Sequence, residues 1–458
     1  MLVVSCGFAA WYGYRHGKQY ALGAGMAASL LAGTWFEITI ADTEINVTMA
    51  TAIILLVAYC AHSWREMFRC LNLLDFLVAA LMVWHITVDT YHDGQPLTFA
   101  AQAYGQWMLP YAAGRYAFLH PGSLTKLSPI FVAVAVFISL AAVLEAFTSI
   151  NLWEIAFTTV DDKVARTSSL RYGMFYRAIG PVRHPIFLGV VLLSTIPFAI
   201  DLCLRSTATR KFQILGCLLL AVICLGIAST ISRGPILCTF IAFGFAWACA
   251  NRAARIAIAT LVILGIAAVS LNTEAAIRLF DSEGTGKETA RIIQVDGDGS
   301  PAVTTSSRHR IFVVQIYGPL VIKGGPLGFG TSNSTGFPPR NLPGLPAAPE
   351  IRKQLGIVDN SYINVGLRFG WIGIALFTAS LLVAIALSLR LGPVASTYFY
   401  PSQNHVCFAY AGMLFAVMLE IITVFWSYDF SFWTLFQMGA AAGLTAQAKL
   451  VRTGQVTG

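Results

Sequence analysis

The chain has 458 residues, of which 57% are hydrophobic and only 11% charged, with a mean hydropathy of +0.69 and a formal net charge of +8. Soluble domains carry about 25% charged residues, so this composition leaves too little polar surface to cover a water-soluble globule. The positive balance does not imply nucleic acid as a partner, because basic residues near membrane ends ordinarily set topology.

Apolar runs of roughly 18 or more residues recur along most of the chain, each long enough to cross a bilayer as a helix. They lack the ~10-residue alternation of a membrane barrel, which leaves the helix as the spanning state. In chain order, helices are expected near 1–13, 20–40, 47–64, 72–91, 98–118, 128–148, 184–201, 212–231, 233–250, 254–271, 361–388, 405–425 and 430–448. The expected fold is an all-α polytopic membrane protein with about 12–13 transmembrane helices. The opening run is too short to cross alone, and it lacks the basic n-region of a cleavable signal peptide.

Arg15 with Lys18, Arg65 with Arg69, Arg205 with Arg210 and Lys211, Arg252 with Arg255, and Lys449 with Arg452 share one side, which should be the cytoplasm. The chain then divides into N-terminal transmembrane helices over 1–271, with an outer loop near 149–183, and a large extracytoplasmic loop over 272–360. C-terminal helices and a short cytoplasmic tail follow over 361–458. Nine cysteines, scattered singly and without a CxxC, read as small apolar fillers, not as a zinc site or disulfide framework.

Some cations break the charge rule. The 149–183 loop carries Lys163, Arg166, Arg171, Arg177 and Arg183, and the long loop adds Arg278, Arg291, Arg308, Arg310 and Arg340. Arg233 sits in a short connection, Ile231-Ser232-Arg233-Gly234-Pro235, between two apolar runs. Long loops tolerate charge, but an arginine at the hydrocarbon edge is expensive and usually functional. An anionic ligand is the simplest reason for it.

Within the long loop, 281–300 is Gly- and charge-rich and contains Asp296-Gly297-Asp298, a triplet seen in metal-binding turns but common by chance in such sequence. Ser307–Val321 suggests a short apolar helix at the membrane surface with arginines at its start. Lys323-Gly324-Gly325-Pro326-Leu327-Gly328-Phe329-Gly330 reads as a tight turn; no strand precedes it and no Lys-Ser/Thr follows, as a nucleotide loop would require. The Pro- and Gly-rich stretch 337–349 reads as irregular and lid-like. Val358-Asp359-Asn360-Ser361-Tyr362 then opens the next helix, where Asp359 is either a cap or a base. Tyr172, Phe175, Tyr176, Tyr317, Tyr362 and Trp371 fall in the connections, as interface aromatics commonly do.

Three stretches in this order resemble the O-antigen ligase and Wzy-type polysaccharide polymerase superfamily. They are Gly180-Pro181-Val182-Arg183-His184-Pro185 through Gly189, then Ser232-Arg233-Gly234, then Arg310 through Pro326–Gly330 and Asp359-Asn360-Ser361-Tyr362 to Gly370-Trp371-Ile372-Gly373. The resemblance covers roughly 180–390. It implies a GT-C-like transferase of the bacterial inner membrane, with its active site facing the periplasm. The implied donor is a glycan on a polyprenyl diphosphate, and neither a nucleotide sugar, a metal nor another cofactor is required. Flippase and chain-length regulator proteins are implied partners. The family's paired arginines map onto Arg233 and Arg310, with Arg308 as the fallback. At Asp359 the chain departs from the many members with histidine before the asparagine, and this favours a polymerase over a ligase.

These residues suit the chemistry. A diphosphate is a good leaving group, so the enzyme mainly needs cations placed where charge develops, and arginine forks bind phosphate oxygens bidentately. Asp359 can accept the acceptor hydroxyl's proton, which predicts an inverting, metal-independent transfer. Arg183, His184, Arg308, Asn360 and Tyr362 are candidates for binding diphosphate or glycan. The alternatives are a ligase that moves finished glycan to lipid A core and, from another class, a glycan transporter. Glu145 and Glu420, within or near spans, are the residues a transporter reading would cite; their substitution by Gln should harm transport and largely spare a transferase site at the outer face.

Overall fold

The computed structural model describes residues 1–33, 37–40, 43–66, 68–157, 170–171, 175–205, 207–271, 291–294, 301–304, 306–331, 358–398, 403–426 and 428–452. Helices dominate. The N-terminal half runs α1 (Leu2–His16), α2 (Ala21–Ser29), α3 (Val47–Ser63), α4 (Leu73–Asp93), α5 (Pro96–Ala103), α6 (Leu109–Ala117), α7 (Ser123–Thr148) and α8 (Leu152–Phe157). After it come α9 (Pro185–Leu193), α10 (Ile196–Leu204), α11 (Arg210–Ser229), α12 (Arg233–Ala250), α13 (Arg252–Leu271) and α14 (Ser306–Gly324). The chain closes with α15 (Ser361–Tyr398), α16 (Gln403–Glu420) and α17 (Tyr428–Arg452). Three antiparallel hairpins accompany them: β1–β2 (Glu37–Ile40, Thr43–Asn46), β3–β4 (Leu170–Arg171, Phe175–Tyr176) and β5–β6 (Arg291–Gln294, Pro301–Thr304).

Among the described residues, seven helical stretches are long and apolar enough to cross a membrane: Val47–Glu66, Leu73–Asp93, Ser123–Thr148, Pro185–Leu204, Arg210–Ser229, Arg233–Ala250 and Ser361–Pro393. The chain is a multi-pass, all-α membrane protein. Several other expected spans correspond to shorter helices, with 15 residues in α1 and nine in α2.

Three expected helices differ in detail. The one over 20–40 ends at Ser29, and β1–β2 follows with Glu37 opposite Asn46 and Ile40 opposite Thr43. Ile38, Thr39, Ile40, Thr43 and Ile45 are β-branched and prefer the extended chain. The run 98–118 is interrupted by a π-turn at Tyr104–Met108, between α5 and α6. The run 184–201 splits into α9 and α10, with Pro197 at the start of the second, where its missing N–H is not needed.

Close backbone approach binds the bundle. Gly439 and Gly443 of α17 lie against the Tyr111 and Arg115 carbonyls, and Gly114 of α6 against that of Phe436; a Cβ at any of them would overlap its neighbour. Gly439-Ala440-Ala441-Ala442-Gly443 is thus a small-residue packing seam of the kind that joins helices in lipid.

Helix α15 is broken at Gly370 (φ 64°, ψ −162°). In a hydrocarbon environment the freed carbonyls must find donors within the protein. Phe329 N donates to Leu367 O (2.7 Å), Gly330 N to Arg368 O (2.9 Å), and Trp84 Nε1 to Phe369 O (2.9 Å), while Trp371 N donates to Gly325 O (3.1 Å). The Gly325–Gly330 turn, with Gly325, Gly328 and Gly330 at φ 66°, 72° and 77°, therefore plugs a split helix. Helix α4 holds its far side: a His92 ring nitrogen meets Gly328 O (3.2 Å), and Asp89 Oδ1 accepts from Thr331 N (2.7 Å). Asp89 is itself set by His85 Nε2 (2.9 Å), whose Nδ1 accepts from Trp107 Nε1 (3.0 Å).

Candidate functional site

Arg233 opens α12 directly after the sharp turn out of α11. Ile231 takes φ +46°, an outlier for a β-branched residue that costs on the order of 1–3 kcal/mol. Its surroundings impose it. Arg177 Nη2 donates to Ser232 Oγ (2.8 Å) and Nε to Thr230 O (3.4 Å), and Ala178 N donates to Ser229 O (3.2 Å). Glu145, at the end of α7, fastens the segment carrying Arg177 by accepting from Ile179 N (3.1 Å) and Gly180 N (2.9 Å).

The same segment leads to Arg183 and His184, both half-buried. His184 caps α9: its Nδ1 accepts from Ile186 N (3.2 Å), with Pro185 at the first helical position. Gly189 lies against Pro235, and Phe187 packs on Phe425 and Phe430, so residues 183–189 sit beside the start of α12.

The start of α12 also meets the end of α16. A Cβ at Gly234 would overlap the Glu420 carboxylate, so glycine lets this buried acid, 5% exposed, lie against the first turn of α12. A carboxylate is favoured there by the helix dipole. Cys238 Sγ donates to Glu420 Oε2 (3.3 Å), and Arg310 is within electrostatic reach of the same carboxylate. Just beyond Glu420, Ile421 O accepts from Ser361 N (2.8 Å) and Val424 O from Ser361 Oγ (2.6 Å).

Helix α14 carries Arg310 and packs on the first part of α15, with Val313, Tyr317, Leu320 and Val321 against Val358, Ile363 and Leu367. The fold thus gathers Ser232–Gly234, Arg310 and Asp359–Tyr362 around Glu420 at one end of the bundle.

Arg233, Arg310 and Asp359 are half-buried, as a ligand site requires. Asn360 and Tyr362, expected to bind substrate, are engaged by the fold. Asn360 Oδ1 accepts from Ile363 N (3.0 Å) and caps α15, and the Tyr362 hydroxyl donates to Met418 O (3.0 Å). Tyr317, expected at the interface, is fully buried in the α14–α15 packing, whereas Trp371 is 52% exposed. Arg308 stands on the first turn of α14. Lys163, Arg166, Arg278, Arg340, Tyr172, the Asp296-Gly297-Asp298 triplet and 337–349 lie outside the described residues.

Glu145 and Glu420, which a transporter reading would cite, also help frame this cluster, so their substitution by Gln does not separate the two readings. The signal for Glu420 was a lone acid in the apolar run Phe415–Val424, which calls for a nearby cation. Cys238 is more than a filler, because its thiol is a donor to that acid. None of the nine cysteines is in a disulfide.

Guanidinium forks bind groups with two or more negative charges bidentately. No protein-family model matches the chain, and no curated protein matches it.

Proposed function

We propose that the protein is a membrane glycosyltransferase that moves a glycan from a polyprenyl-diphosphate donor to an acceptor hydroxyl. In this reading it polymerises exopolysaccharide or O-antigen repeat units at the outer face of a bacterial inner membrane. The observation that carries it is that the first turn of α12, which Arg233 opens, packs at Gly234 against Glu420, whose carboxylate also feels Arg310 and whose neighbour Ile421 receives Ser361 N, two residues after Asp359. The sidedness rests on Arg205, Arg210 and Arg252, which lie at the opposite ends of α9–α10, α11 and α12 from this cluster.

The two guanidinium forks bind the diphosphate and stabilise the charge that grows on it as the bond from the sugar C1 to the diphosphate oxygen breaks. Asp359 takes the acceptor hydroxyl's proton while the new glycosidic bond forms on the opposite face of C1, inverting it. Polyprenyl diphosphate leaves.

The test is turnover in proteoliposomes with a polyprenyl-diphosphate oligosaccharide, alone and with lipid A core, the products being resolved by size. A ladder from donor alone is expected, lost in Arg233→Ala and slowed about 10²–10⁴-fold in Asp359→Asn. Product only with lipid A core would make the protein a ligase, and donor carried across the bilayer unchanged would make it a transporter.

A further inference from the structure

Glu420 has no part in the transfer just described, yet it is the acid around which the cluster is assembled. It is 5% exposed, its carboxylate fills the space that a side chain at Gly234 would need, and the Cys238 thiol donates to it from the next turn of α12. Its own helix ends at this residue, and the next residue, Ile421, receives the backbone of α15 through Ser361 N (2.8 Å). One side chain at the end of α16 therefore touches α12 and lies next to the junction with α15.

We propose that Glu420 is a positioning residue: a resident counter-charge that keeps Arg310 and the start of α12 aligned while the site is empty, and that the donor's diphosphate displaces electrostatically when it binds. The inference rests on the transferase reading above. Its logic is one of cost. Arginines gathered at the edge of a hydrocarbon layer repel one another and are drawn towards water, so without an internal anion they leave the geometry that the reaction needs. An internal anion solves this but competes with the substrate, because it occupies the same positive field. Glu420 therefore sacrifices donor affinity for alignment. The electrostatic reach of Arg310 to this carboxylate fits the role.

The test uses the full-length protein in nanodiscs, with undecaprenyl diphosphate lacking any glycan as the binding probe and the ladder assay for turnover. Glu420→Gln should bind the probe about tenfold more tightly than wild type, since a like charge has been removed. Its turnover should fall about 100-fold, the usual consequence of a misplaced catalytic group. A structural role alone would not tighten binding, so unchanged or weaker affinity in Glu420→Gln overturns the assignment.

Glu420→Asp carries the same test if the Gln variant does not fold: its retracted carboxylate should give intermediate affinity and intermediate turnover, and wild-type values for both would count against the proposal. Arg233→Ala and Arg310→Ala separate the two levels of inference. If both leave probe affinity unchanged, the transferase reading itself fails. If they weaken it while Glu420→Gln does not tighten it, only the role of Glu420 fails.

Discussion

The protein buries charge at two places, and it treats them in opposite ways. At the start of α4, Arg115 is 1% exposed, with its Nε 2.5 Å from Asp75 Oδ1 and its Nη2 donating to the carbonyls of Arg69 (3.2 Å) and Cys70 (3.3 Å). Asp75 also accepts from the Tyr111 hydroxyl (2.8 Å) and Asn72 N (2.7 Å). All these partners come from one contiguous stretch of chain. In the second place, Arg177, Arg233, Arg310 and Glu420 come from four separate elements, and Arg233 and Arg310 stay half-buried. Burying an ion is costly in both cases. The first group is drawn from residues 69–115, whereas the second is drawn from four elements far apart in sequence.

The largest expected effect breaks the first group. Arg115→Met leaves Asp75 buried without its cation and should cost about 3–5 kcal/mol of stability. Thermal unfolding in detergent should show the loss, while turnover per folded molecule is retained. Adding Asp75→Leu should recover part of it.

Arg233→Lys addresses the second group. It keeps the charge but loses the fork, and turnover should fall about 10²–10³-fold with little change in the melting midpoint. Retention of near wild-type turnover would place Arg233 with the structural cations.

Gly370→Ala probes the break in α15. The residue is at φ 64°, and an added Cβ would overlap the Pro326 carbonyl. A cost of about 1–3 kcal/mol is expected, read as faster amide exchange at Phe329 and Gly330, whose N–H groups serve the broken helix.

The smallest effect concerns His120, in the connection before α7. Burial lowers its pKa from the ordinary 6.5 against the opposing pull of Glu66, 3.3 Å away. A depressed folded pKa means that the unfolded chain protonates first, so the stability held above about pH 6.5 is lost as pH falls below it. The melting midpoint of wild type should drop more steeply than that of His120→Gln over this range.

The long apolar helices were legible because their signal is local: α7, α11 and α12 are each built on one long apolar run, as is the part of α15 after its break at Gly370. The hairpin at Glu37–Asn46 was legible in principle, through its alternating β-branched residues, but the apolar run before it invited a longer helix. Arg233 was visible because it violates the charge rule. Arg115 was not, since it obeys that rule at its helix end and its pairing with Asp75 joins two different helices. Glu420 was visible as an anomaly but not as a neighbour of Gly234, because nothing in a linear sequence reports which acid lies against which glycine.

The pinning of Thr331 to Asp89, and of Ser361 to Ile421, has an evolutionary meaning. Thr331 and Ser361, on either side of 332–357, are each held by residues of the bundle. Lengthening a connection between fixed points costs only about 0.6 kcal/mol per doubling. Changes of length between these anchors therefore need not move Arg310. The bundle can be inherited as a constant chassis while the sequence between its anchors drifts.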